Sequence, residues 1–144
     1  MSAADVEVVR GVYEAFARGD IAGVVAGFAP DVVWVEPEGA PGGFGRRVLH
    51  GMDEVVAEVF MRLPEVWDDF RIEPRRYLDA GDVVVMQGTL RARVPATGEE
   101  VTSPVAHICD MRDGRIAHWQ ALEDTRRMQE AQDRAGVAPG AEMG

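Results

Sequence analysis

The sequence has one cysteine, Cys109, in 144 residues, which excludes an internal disulfide. It also lacks any cluster of Cys and His at metal-ligand spacing. No run approaches the roughly 20 apolar residues that a membrane span requires. The first residues, MSAADVEVVR, carry no basic region leading into an apolar signal segment. A cytoplasmic protein with no membrane partner is therefore expected, and nothing in the pattern asks for a metal or a cofactor. Positive charge is scarce as well: 15 basic against 25 acidic residues leave a formal net charge of −10. Repulsion from a polyanion argues against nucleic acid as a partner. The pairs Arg46-Arg47, Arg75-Arg76 and Arg126-Arg127 read as solvated faces rather than phosphate sites.

What remains is a globular composition, with 47% hydrophobic and 28% charged residues. The length suits one domain over residues 1–135, with residues 136–144 as a flexible tail. Val8, Val9, Val12 and Phe16 fall at helical spacing and predict a helix over 4–18. Gly19-Asp20 breaks it, and Asp20 can cap a second helix over 21–28. Val32 to Glu36 is β-branched and aromatic, as a strand requires. PEGAPGGFGRR then reads as a loop. A third helix starts near Met52 and Asp53, with Pro64 set to kink or stop it. From Asp69 the period becomes strand-like, and Pro74 suggests an edge position or a bulge. A short last helix is expected from Asp124 to Arg134. Helices followed by strands in a meander imply an α+β fold, a cone-shaped, strongly curved antiparallel sheet wrapped around N-terminal helices.

The most informative stretch is Val101 to Thr125, VTSPVAHICDMRDGRIAHWQALEDT. Asp113-Gly114 is a favoured two-residue turn because both positions need φ > 0. In the simplest hairpin register Cys109 faces His118, His107 faces Gln120 and Val105 faces Leu122. Alternation then puts His107, Cys109, His118, Gln120 and Asp124 on a mixed face with the character of a pocket wall. Ile108 and Trp119 fall on a smooth apolar face suited to a second copy of the chain, so a homodimer is expected. A slip of one residue reverses both assignments.

These pieces are similar to those of a known family. VVRGVYEAFARGDIAGVVAGFAPDVVWVEPEG, HGMDEVVAEVF, WDDFRIEP, YLDAGDVVVMQG and TGEEVTSPVAHICDMRDGRI with LEDT, spanning about Val6 to Thr125, resemble the nuclear transport factor 2-like superfamily, in its SnoaL-like branch related to polyketide cyclases and ketosteroid isomerase. The resemblance implies a cone open to a ligand at its wide end. It implies no single chemistry, because isomerases, cyclases, dehydratases, epoxide hydrolases and non-catalytic pocket proteins share the fold. It places an acid/base Asp at Asp124, a pocket His at His107, and lining side chains at Trp34 and Glu36. His50 stands where many similar sequences have Tyr.

Each candidate carries a structural alternative. Asp124 is either a general acid or base with a pKa raised by apolar neighbours or the cap of the last helix. His107 either polarises a carbonyl or is a satisfied core residue. In the simple register His107 and Asp124 lie roughly 13 Å apart along the strands, at opposite ends of one ligand with Gln120 and His118 between them. Trp34 followed by Glu36 suits a planar, partly apolar substrate. Arg91 and Arg93, with Asp124, could supply the arginine and acid of an epoxide hydrolase. The reading is thus a small-molecule pocket protein, an isomerase or cyclase-like acid/base enzyme on a small apolar carbonyl compound, with a non-catalytic binder or epoxide chemistry as alternatives.

Overall fold

The computed structural model describes residues 3–41 and 48–136. The Gly-rich segment 42–47 and the tail from 137 lie outside them. The first helical stripe forms α1, Ala3–Ala17, with Val9, Val12, Tyr13 and Ala15 buried. The Asp20 carboxylate accepts from Gly23 N at 2.9 Å and caps α2, Ile21–Ala26. The chain then enters β1, Phe28–Val35, and after the segment outside the described residues β2, Val48–His50. The third helix is broken into pieces: α3, Met52–Val55, runs into a π-helical stretch, Val56–Phe60, and a turn leads to α4, Leu63–Val66. Pro64 sits in the first turn of α4, where its missing N–H costs nothing, so it starts a helix rather than stopping one.

Four long strands follow: β3, Asp68–Asp79; β4, Val83–Arg93; β5, Glu100–Arg112; and β6, Arg115–Glu123. Helix α5, Thr125–Arg134, closes the described chain. The sheet order is β2-β1-β6-β5-β4-β3. The architecture is α+β, with the helices on the inner side of a curved, unclosed sheet. Pro74 lies in an edge strand and beside a register shift between Pro74 and Arg76, fulfilling both of its alternatives. One expectation needs correction: the sheet is not wholly antiparallel, because β1 and β6 pair in parallel, Trp34 with Trp119 and Val35 with Gln120.

That pairing also alters the hairpin register. The tip is as expected, with Arg112 opposite Arg115 and positive φ at Asp113 and Gly114. Ile116 N, however, donates to Gly27 O at 2.9 Å, outside the hairpin. Met111 pairs with Ile116 and Asp110 with His118, so Ala117 is an extra residue on β6. Beyond this bulge every partner on β6 moves by one: Cys109 faces Trp119, His107 faces Ala121, and Val105 faces Glu123. The inner face therefore carries Trp119, Ala121 and Glu123. His118, Gln120 and Leu122 turn outward, and Trp119, expected on the outer face, is 7% exposed in the core.

Candidate functional site

The inner face of the sheet and the facing helices enclose a cavity of about 90 Å³. It is smaller than the ~150 Å³ of an engineered cavity that takes up benzene, and it is partly open to solvent. Its wall is aromatic, with Phe16, Phe28, Trp34, Phe60 and Trp119 among the lining residues. The parallel β1–β6 pairing puts Trp34 beside Trp119, and their rings stack with centroids 3.7 Å apart and planes at 20°. Met128 of α5 also lines the cavity. Gln132 Nε2 donates to Val66 O at 3.0 Å and ties α5 to α4.

The ionisable side chains that face the cavity are Tyr13, Glu36, His107 and Glu123. Tyr13 Oη and His107 Nδ1 are hydrogen-bonded to each other, bringing α1 and β5 together. His107 is 5% exposed, and burial pulls its pKa down to about 3, so the ring is neutral at physiological pH. Burial likewise raises Tyr13 well above its ordinary value, keeping the phenol protonated. The pair thus holds two polar hydrogens, of which one is used between the partners. If Tyr13 donates to Nδ1, Nε2–H remains free; in the other tautomer the Tyr13 O–H remains free. Either way one neutral donor is left over.

The two carboxyls sit nearer the chain ends of β1 and β6. Glu36 accepts a hydrogen bond from Trp34 Nε1, and burial raises its pKa while that bond lowers it. Glu123 is pushed up to about 7, first by burial and then by the charge of Glu36. No hydrogen bond or ion pair engages the Glu123 carboxyl among the described residues. It is a carboxyl that changes protonation near physiological pH beside an apolar cavity.

The cavity brings together three of the residues singled out in the sequence: Trp34, Glu36 and His107. Asp124, Gln120, His118 and His50 are not among its lining residues. Asp124 accepts from Arg127 N at 3.0 Å and lies 3.5 Å from Arg127 Nε, capping α5. Gln120 and His118 point to the outer face, turned there by the bulge at Ala117. His50 is exposed on β2, pairs with Val33 in the ladder and donates its backbone N–H to Glu54 Oε1 at 2.8 Å. Arg91 and Arg93 lie on the outer face, Arg91 on Glu73 at 2.9 Å and Arg93 on Asp69 at 3.2 Å. No arginine is among the described residues lining the cavity, so none of them supplies the central cation of the epoxide-hydrolase arrangement.

Sequence reasoning missed Tyr13 and Glu123. A Tyr on the buried face of an amphipathic helix needs a partner for its hydroxyl, and that need was the available signal for Tyr13. For Glu123 there was none, because its orientation depends on the bulge. Asp124→Ala is expected to lower stability by about 1 kcal/mol, the usual worth of an N-cap. A thermal melt reads this directly, and an unchanged midpoint would show that the cap contributes nothing.

The model of the SnoaL-like domain family matches residues 9–119. No curated protein matches the sequence. Among solved structures, an NTF2-like protein from Burkholderia thailandensis superposes with a TM-score of 0.82 at 31% identity, covering 89% of this chain and 96% of that one. TerC, co-crystallised with polyporic acid, does so with a TM-score of 0.81 at 30% identity, covering 90% and 98%. A structure named as a SnoaL-like polyketide cyclase, from a Jannaschia species, shares the fold with a TM-score of 0.77 at 16% identity, covering 90% and 92%. With the family model spanning most of the chain and a partly open, aromatic-walled cavity inside it, the protein belongs to the SnoaL-like domain family of the nuclear transport factor 2-like superfamily and is, at that level, a small-molecule pocket protein.

Proposed function

We propose that this protein catalyses proton transfer on a small cyclic carbonyl compound, in isomerase- or cyclase-type chemistry, through its own side chains. The observation that carries the reading is Glu123: a carboxyl facing an apolar cavity, with a pKa near 7. A general acid or base works best with its pKa near the working pH. Glu123 takes a proton from the carbon next to the carbonyl. The oxygen that gains negative charge lies against the free hydrogen of the Tyr13–His107 pair, a neutral donor fixed before substrate arrives. Glu36, held by Trp34, lies close enough for its charge to raise the Glu123 carboxyl and so help keep it basic. Asp124, the acid/base residue implied by family resemblance, is engaged at the helix end, and the role passes to its neighbour.

The test does not require the natural substrate. Polyporic acid, which the relative TerC was crystallised with, and a panel of small ring ketones are titrated by following Trp34 and Trp119 fluorescence. Bound ketones are then incubated in heavy water, and exchange of hydrogen for deuterium at the carbon next to the carbonyl is followed by NMR. Protein-catalysed exchange that is lost in Glu123→Gln is the expected result. Tight binding of ketones without any exchange would leave a non-catalytic binding protein as the better account.

A further inference from the structure

The ligand class can be narrowed further, on the reading that the cavity is a small-molecule site. The described residues that line the cavity include two carboxyls and no cation: none of them is an arginine, His107 is neutral, and the chain contains no lysine at all. Elsewhere among the described residues, carboxylates such as Asp31, Glu73 and Glu99 are matched by arginines at 2.6 to 2.9 Å. Glu36 has only the Trp34 indole N–H, and no ion pair engages Glu123. Beside these two acids stands the stacked face of Trp34 and Trp119, with Phe60 edge-on to Trp34 at 5.7 Å. Aromatic faces attract cations through the ring quadrupole, most strongly when water is excluded.

We infer that the site selects a cationic ligand, a small aromatic compound carrying a protonated amine that sits at Glu36 and Glu123 with its ring against the Trp34–Trp119 wall. A third polar group in the same cavity is independent of the acid pair. His107 is 95% buried, and its Nε2 has no partner among the described residues. From β-sheet spacing, its Cβ is about 7 Å from that of Glu123, a diagonal neighbour across β5 and β6. A buried ring nitrogen with no protein partner is completed by water or by a ligand atom. The energetic logic is that folding has already removed part of the water around both half-buried carboxyls, so an incoming cation meets charges that are partly desolvated. The net charge of −10 adds long-range attraction for a cation and repulsion for an anion.

The experiment compares three ligands of one shape on the intact protein at pH 8: benzylamine, which is protonated there, benzyl alcohol and benzoate. Calorimetry or tryptophan quenching gives the affinities. Benzylamine is expected to bind at least about tenfold tighter than benzyl alcohol, a difference of about 1.4 kcal/mol, with benzoate weakest. The doubly substituted Glu36→Gln, Glu123→Gln protein should lose the preference for the amine over the alcohol, with near-UV circular dichroism and a thermal melt checking that it is folded. Equal affinities in the unaltered protein, or a preference that survives the double substitution, would overturn the inference and leave the pocket reading standing. If none of the three binds at millimolar concentration, both the inference and the pocket reading fall.

Discussion

Glu123→Gln is expected to make the protein more stable at pH 8 while removing its proton-transfer activity. The folded-state pKa of Glu123 is raised from 4.5 to about 7. A raised carboxyl contributes stability that is fully present below pH 4.5 and is lost as pH rises towards 7, because the native state must then ionise a group it holds poorly as an anion. Each pKa unit corresponds to about 1.4 kcal/mol, so the full effect is about 3 kcal/mol. Glu123 is only partly buried, and solvent screening brings the expected gain to about 2 kcal/mol. Gln resembles the protonated acid and never ionises. The variant should match the parent near pH 4.5 and pull ahead of it up to pH 8, as read by urea denaturation across that range. His107 acts in the opposite sense: its stability contribution is present above pH 6.5 and lost as pH falls towards 3, so only the difference between variant and parent isolates Glu123. In the exchange assay the same substitution is expected to cost about 10²- to 10⁴-fold in rate. Asp124→Ala, one residue later, should do the reverse, losing stability and leaving exchange unchanged. A Glu123→Gln protein no more stable than its parent at pH 8 would mean that the carboxyl is well solvated and unfit for the role.

This neighbouring pair shows how far the residues could be read alone. The helices, the hairpin turn at Asp113-Gly114 and the edge position of Pro74 were legible, because each is set by local periodicity or by the backbone needs of Gly and Pro. The cone was legible through family resemblance. The pocket side of β6 was not, since alternation carries no mark of a bulge. The bulge at Ala117 arises because Ile116 N bonds to Gly27 O, a contact across almost ninety positions of sequence. One inserted residue exchanged Glu123 for Asp124, and Trp119 for Gln120 and His118. Strand β2, three residues long, is too short for any period to show. The Tyr13–His107 bond likewise joins residues 94 apart, and neither residue advertises the other. His107, Trp34 and Glu36 line the cavity, Trp34 and Glu36 lying beyond the register shift between Phe28 and Val33 on β1.

The substitution expected to damage the fold most is Gly88→Ala. Gly88 pairs with Pro74 on β3 and with Val105 on β5, next to the register shift that bends β3. A Cβ on Gly88 would lie 2.2 Å from Glu73 O and 2.9 Å from Pro74 Cα. Both obstacles are backbone, so no side chain can rotate away, and the two strands must separate. Overpacking a core by a methyl typically costs 1–3 kcal/mol, and with the main chain in the way about 3 kcal/mol is expected. Strand β3 also delivers Phe70 and Ile72 to the cavity, so any Gly88→Ala protein that folds should bind ring ligands more weakly. Gly11→Ala provides the contrast. Gly11 lies exposed within α1 with nothing near its would-be Cβ, and the better helix propensity of Ala should add about 0.5–1 kcal/mol. Denaturation midpoints of the two variants, moving in opposite directions from the parent, test whether the close approach at Gly88 is what curves the sheet. A Gly88→Ala protein with unchanged midpoint and ligand affinity would show that the curvature, and with it the width of the cavity, is set by the helices packed inside the sheet instead.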